Sequence, residues 1–422
     1  MTLHTILADT TRGEARASSR PAKTAPPETA PAETLPRAPD LEARIKTVAA
    51  TAARHAASVD DRARFPDEAI AAARQQGLMG IMVPRELGGE GASLSEVADV
   101  CYRLGRACSS TAMIYAMHQT KVACLIRHGR RSLWHENLLR RLCAEQMLLA
   151  SSTTEGQGGG NVRSSQAPIE RSGSRISLER NAAVISYGAQ ADGVVTTARR
   201  SDDASSSDQV LVVFLKEDYA LEPQLSWDTL GMRGTCSAGF TLKAHGEEAQ
   251  ILKDPYEKIH VQTMTPSAHL LWASVWTGVA TDAAERARSF IRKASRQANG
   301  QLPPGAAQFA KASSSLGMLR SLVACGLARY EQAAQDERAL ASIDFQAMIN
   351  LTKVDAAELA VSTVMAALRA CGLSGYRNDG EFSVARHLRD VLSSPLMINN
   401  DRIIANISTS LLMSGTPASL RD

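Results

Sequence analysis

Three short stretches of this 422-residue chain gather hydroxyls and glycines in a pattern suited to holding a flat polar ring. The first runs Ser151-Ser152-Thr153-Thr154-Glu155-Gly156 and continues into Gly158-Gly159-Gly160. Glycines let backbone amides approach a ligand closely. The Thr153 and Thr154 hydroxyls can donate to or accept from a heterocycle's edge. The second stretch, Val184-Ile185-Ser186-Tyr187-Gly188, sets one hydroxyl at the end of a β-branched run expected to be a strand. The third is Gly231-Met232-Arg233-Gly234-Thr235-Cys236-Ser237. Taken singly, the three also read as a flexible linker, ordinary hairpin chemistry and a turn between strands.

The elements that must carry these stretches follow from periodicity. Ile45, Val48, Ala49 and Ala52 recur at helical spacing, and a second helix is predicted after Pro66 up to Gly77. Helices resume from Ser93 to His128 and from Ser132 to Glu145. Between 149 and 262 short β-branched runs appear, such as Val194 to Thr197 and Val210 to Phe214, with a turn-rich hairpin loop at Ser201 to Asp208. Beyond Pro266 the chain is helical again, in long amphipathic segments of the kind that form antiparallel bundles. The expectation is an α+β protein: a disordered Pro- and Ala-rich tail over 1–38, an N-terminal helical domain over 39–148, a middle β-barrel or sandwich domain over 149–262, and a C-terminal four-helix bundle over 263–422.

Composition narrows the function. A net charge of +3 offers no polyanion-binding face, so no nucleic-acid partner is expected. Seven cysteines without a CxxC pair read as free thiols in a reducing cytoplasm. No run of eighteen apolar residues predicts a membrane span. The N-terminus lacks the apolar core of a secretory signal, although Arg12, Arg16 and Arg20 also permit a transit peptide.

Taken in order, the motifs resemble the acyl-CoA dehydrogenase superfamily from about Leu41 to Met413. Leu78 to Gly89 is similar to that family's glycine- and proline-marked segment, and Thr154-Glu155 falls on its T-E pair. Val184 to Ser186 looks like its W-I-T run, and Gly231 to Ser237 like its G-x-R-x-S/T turn. The resemblance implies a flavin between the β domain and the C-terminal bundle. The cofactor would be FAD, or reduced FMN or FAD supplied by a reductase. It would be held by Ser151, Thr153, Thr154, Gly159, Gly160, Ile185 and Ser186. Arg296 would reach a pyrophosphate across a subunit contact, and Arg369 with Gly372 would form a further cofactor-facing turn. Implied partners are an electron-transfer flavoprotein or a flavin reductase, an acyl-thioester or other small-molecule substrate, and further copies of the chain in a tetramer or dimer.

One element of the family pattern is missing. Removing a proton beside a thioester carbonyl needs a carboxylate in reach. The family's usual glutamate position falls here on Ile398, or Asn399 with a one-residue slip, and its alternative position on Ala268. His269 and Asp401 lie nearby, and each also reads as an ordinary packed or helix-end residue. Three activities stay open: acyl-thioester oxidation with FAD as acceptor, which is the family default; a monooxygenase on the same fold using reduced flavin and O2; and a non-catalytic flavin-binding homologue.

Overall fold

The structure, a computed structural model, describes residues 40–130, 132–155, 163–413 and 419. The expected tail and most of the glycine-rich stretch, Gly159 and Gly160 included, lie outside the described residues.

Among the described residues five helices come first: α1 (Leu41–Asp61), α2 (Asp67–Gln75), α3 (Leu94–Ala107), α4 (Ser109–His128) and α5 (Leu133–Glu145). The inward stripe of α1 is Ile45, Val48, Ala52, Ala56 and Val59, all buried, as the 3.6-residue repeat requires. A capping box starts α3: the Ser93 hydroxyl accepts from Glu96 N–H at 3.2 Å, and the Glu96 carboxylate accepts from Ser93 N–H at 2.7 Å. α4 is buried almost end to end and serves as the central post.

Seven strands follow among the described residues, β1 (Leu149–Ser152), β2 (Glu170–Ser172), β3 (Arg175–Ala182), β4 (Gly193–Arg199), β5 (Gln209–Leu215), β6 (Tyr219–Leu225) and β7 (Gly239–Glu247). They form a three-stranded sheet, β1-β4-β5, and a four-stranded sheet, β2-β3-β7-β6. Val194, Val212 and Phe214 of the first share one core with Leu178, Leu242 and Ala244 of the second. The opposite face of the first sheet, Val195, Leu211 and Val213, packs with α4 and α5 residues Val122 and Leu139. The arrangement is a sandwich backed by helices, not a closed barrel. Strand β4 pairs antiparallel with β5 through a hairpin at the expected 201–208 loop, and parallel with β1.

Val184 to Ser186 is not a strand. β3 ends at Ala182, and the following residues cross to the neighbouring turn through single bonds, Ile185 N–H to Ala238 O at 2.8 Å and Tyr187 N–H to Thr235 O at 2.9 Å. With Tyr187 at φ 45 the chain turns away before a ladder can form.

The remainder is helical: α6 (Tyr256–Ile259), a π-helical turn (His260–Met264), α7 (Thr265–Gln297), α8 (Ala306–Ala333), α9 (Glu337–Ala341), α10 (Ile343–Cys371), α11 (Leu373–Tyr376), α12 (Ala385–Val391) and α13 (Asn400–Met413). α10 packs along both α7 and α8 and carries α13 on a further side. α7 also lies against α3. Close approach there depends on two glycines: a Cβ on Gly105 would sit 2.4 Å from the Val275 carbonyl oxygen, and one on Gly278 2.2 Å from that of Tyr102. This contact fixes the first turns of α7 beside α4. No described helix is long and apolar enough to cross a membrane.

Candidate functional site

Two adjoining cavities lie where α4, the end of β1, α7 and the segment before α13 converge. α4 sets the frame. Its Tyr115 hydroxyl and Gln119 amide donate to Leu78 O, each at 3.0 Å. His118 holds Met79 O at 2.9 Å through Nε2 and accepts from Leu149 N–H at 3.0 Å through Nδ1. These two bonds require the neutral ring protonated on Nε2, and burial holds it neutral by lowering its pKa to about 4. β1 is thereby locked to α4 by backbone register, and Ser151 and Thr153 emerge facing the cavities beside Met117.

The larger cavity, about 570 Å³, falls within the ~300–1,000 Å³ usual for small-molecule sites. Hydroxyls of Thr153, Thr154, Ser186 and Ser237 converge on it, with Trp227 and Trp272 among its apolar walls. Ser237 donates to Ser186 Oγ at 2.8 Å, which leaves the Ser186 proton free to donate. The third sequence stretch forms another wall. Its Met232 N–H donates to buried Asp390 at 2.7 Å, and Trp227 Nε1–H donates to Met232 O at 3.1 Å. A Cβ on Gly231 would lie 2.1 Å from the Arg389 carbonyl oxygen, so this turn seats directly on α12. Arg389 also lines the cavity, its guanidinium bonded to Asp60 and to Asn378 Oδ1.

The smaller cavity, about 90 Å³, is lined by Lys121, Tyr256, Met264, Ala268, His269 and their neighbours. It shares Met117, Ser151, Thr153, Trp272 and Ile398 with the larger one. His269 is held neutral by burial, its pKa pushed down to about 3.

The structure thus brings together Ser151, Thr153, Thr154, Ser186, Ile398, Ala268 and His269. Ile185 is wholly buried in the core and lines neither cavity, whereas its neighbours Val184 and Ser186 line the larger. Arg296 is exposed at the last turn of α7, and Arg369 is exposed at the end of α10. Gly372, at φ +56, has open space beside it. None of these three lines either cavity. Asp401 is exposed in the first turn of α13. Lys121, His260 and Met264 were not singled out in the sequence. The available signal was one cation inside the apolar run of α4.

Glu155 has a structural task. Its carboxylate accepts from Ser165 Oγ at 2.6 Å and from Gln166 N–H at 2.8 Å, and lies 3.4 Å from the fully buried Arg180. It therefore ties the two described ends of the glycine-rich stretch to β3.

Residues 40–146 match the family model described as "Acyl-CoA dehydrogenase, N-terminal domain". A probable acyl-CoA dehydrogenase of Mycobacterium leprae is 25% identical over 355 residues, covering 83% of this chain and 89% of that protein. The fold is shared with the dibenzothiophene monooxygenase TdsC of Paenibacillus, solved with FMN and indole, at a TM-score of 0.77 and 18% identity over 89% of this chain and 98% of that one. It is shared also with a nitrososynthase of Micromonospora carbonacea, at a TM-score of 0.75 and 20% identity over 89% and 96%. The chain thus carries the sequence pattern of the acyl-CoA dehydrogenase N-terminal domain over residues 40–146, resembles acyl-CoA dehydrogenases over most of its length, and shares the fold of these solved structures over nearly all the described chain.

Proposed function

We propose that the protein is a flavin-dependent monooxygenase, which takes reduced FMN or FAD from a separate reductase and transfers one atom of O2 to a small substrate. The second oxygen atom leaves as water, with the reduced flavin supplying the two electrons. The observation that carries this reading is the lining of the two cavities: no aspartate or glutamate is among the described residues that form them. Ile398 and Ala268, the positions where the family pattern would place a base, both face the smaller cavity as hydrocarbon. Proton removal beside a thioester carbonyl has no carboxylate to perform it there. The sequence relatives support the coarser reading, a flavoprotein oxidoreductase of this superfamily, and the acyl-thioester dehydrogenase is the second candidate.

The larger cavity suits a flavin in size and in chemistry. The Trp272 Nε1–H is buried without a partner in a residue that walls both cavities, and the Ser186 proton is free. Bound in reduced form, the flavin supplies O2 activation. The chain's own residues do the rest. Thr154 and Ser186 orient the ring's polar edge, and Met113, Met117, Trp227 and Leu392 keep water from it.

Two measurements test this. Purified protein mixed with reduced FMN and then with air should release less free peroxide than FMN alone. Protein carrying oxidised flavin should not be bleached by butanoyl-CoA without O2. Anaerobic bleaching by the thioester would overturn the reading in favour of the dehydrogenase. The paired change Thr154→Ala and Ser186→Ala should lower flavin affinity by about 1–3 kcal/mol in an equilibrium titration, one hydrogen bond per site. Unchanged affinity in the double variant would remove both residues from the cradle.

A further inference from the structure

The smaller cavity contains a cation with no charge to answer it. Lys121 is 4% exposed, and its Nζ contacts the Met264 thioether sulfur at 3.5 Å, a weak acceptor. The same sulfur takes the Tyr256 hydroxyl at 3.4 Å. The Thr120 hydroxyl is turned back to Ala116 O at 2.9 Å within its own helix. No carboxylate is among the described residues lining the cavity. Two histidines face it, and neither adds charge near neutral pH: burial brings the partly buried His260 down to about 4 and His269 to about 3. The neighbouring buried Lys353 is already held by Ser394 O at 3.1 Å and Asn400 Oδ1 at 2.6 Å. An ammonium removed from water costs free energy unless an anion meets it. The remaining walls include Met117, Trp272 and Ile398 with the hydroxyl-bearing Ser151, Thr153 and Thr265, none of them charged.

We propose that the smaller cavity takes the anionic head group of the substrate, a small monoanion with a short apolar body, and that Lys121 is the residue that binds it. The inference rests on the larger cavity being the flavin site, since the shared wall of Met117, Ser151, Thr153, Trp272 and Ile398 would then set the substrate against the ring. One cation and two neutral imidazoles match a single negative charge. A volume near 90 Å³ suits a carboxylate, sulfinate or nitronate with a few carbons. The ligand brings the negative charge that Ile398 and Ala268 do not.

Calorimetric titration of the FMN-loaded full chain with butanoate and with butanamide tests this, since the two differ little in size but not in charge. Butanoate should bind at least about tenfold more tightly than butanamide, and Lys121→Met should bring the two to parity while FMN uptake is retained. Equal binding of both by the native chain, or an undiminished preference in Lys121→Met, would overturn the assignment. The same titration without FMN separates the two proposals. A butanoate preference there that is lost in Lys121→Met supports the anion site even where the chain fails to take up flavin, which would count against the monooxygenase alone.

Discussion

Glu155→Ala should destabilise the protein by about 3–5 kcal/mol, the usual cost of removing one partner from a buried ion pair. Arg180 stands on the inward face of β3, 1% exposed, with Thr197 O and Thr197 Oγ1 as its other partners. Burial lowers its pKa to about 10, with Glu155 opposing that shift. Without Glu155 the guanidinium stays charged and loses its counter-ion, while Gln166 N–H loses its acceptor and Ser165 Oγ keeps only Ala167 O at 3.4 Å. Denaturant unfolding of the single variant and of Glu155→Ala with Arg180→Met provides the check. The second change should recover much of the loss, because an apolar side chain of similar length leaves no charge in the core. A single-variant loss below about 1 kcal/mol would show that the pair is not the anchor of this region.

Lys121→Met should have the opposite sign. Burial lowers the Lys121 pKa from 10.5 to about 8. The unfolded chain therefore holds a proton on this lysine, between about pH 8 and pH 10.5, that the folded chain has released. Stability contributed by this site rises with pH through that window, and the full penalty is present below about pH 8. A shift of that size corresponds to a penalty on the order of 3 kcal/mol at neutral pH. The methionine variant should gain up to that amount and lose part of the alkaline rise. Lys353, which burial also lowers to about 8, contributes a rise over the same window, while the buried thiols of Cys124, Cys143 and Cys371, pushed up by burial, oppose it as the unfolded chain's thiols ionise. Unfolding free energies measured at neutral and alkaline pH decide it, and a variant less stable than the native chain at neutral pH would refute the unpaired-cation reading.

The long helices were legible because their apolar stripes repeat without interruption, as in α1. β4 and β5 were legible as β-branched runs buried on both faces. β3 was not. Its inward positions are Ile176, Leu178, Arg180 and Ala182, and the arginine breaks the alternation that marks a strand. β6, with Pro223 and mostly exposed residues, has almost no apolar signal. Val184 to Ser186 misled for the opposite reason: the composition suits a strand, but the backbone pairs only at single points with the 235–238 turn. In the site, the hydroxyls at Thr154 and Ser186 stood out by their glycine-rich surroundings. Lys121 did not, since the desolvation that makes it unusual comes from Met264 and Tyr256, more than 130 residues away in sequence.

The two cavities meet at a wall of five side chains, so their occupants cannot bind independently if either shifts that wall. Thermodynamic reciprocity then applies: the factor by which a bound anion tightens or loosens the flavin equals the factor by which the flavin changes affinity for the anion. A coupling of about 1.4 kcal/mol is a tenfold change in each direction. Trp272 and Ile398 are where substitution should alter this cross-factor most. Order of addition would change the rate of assembly, but the final ternary population would be the same by either route.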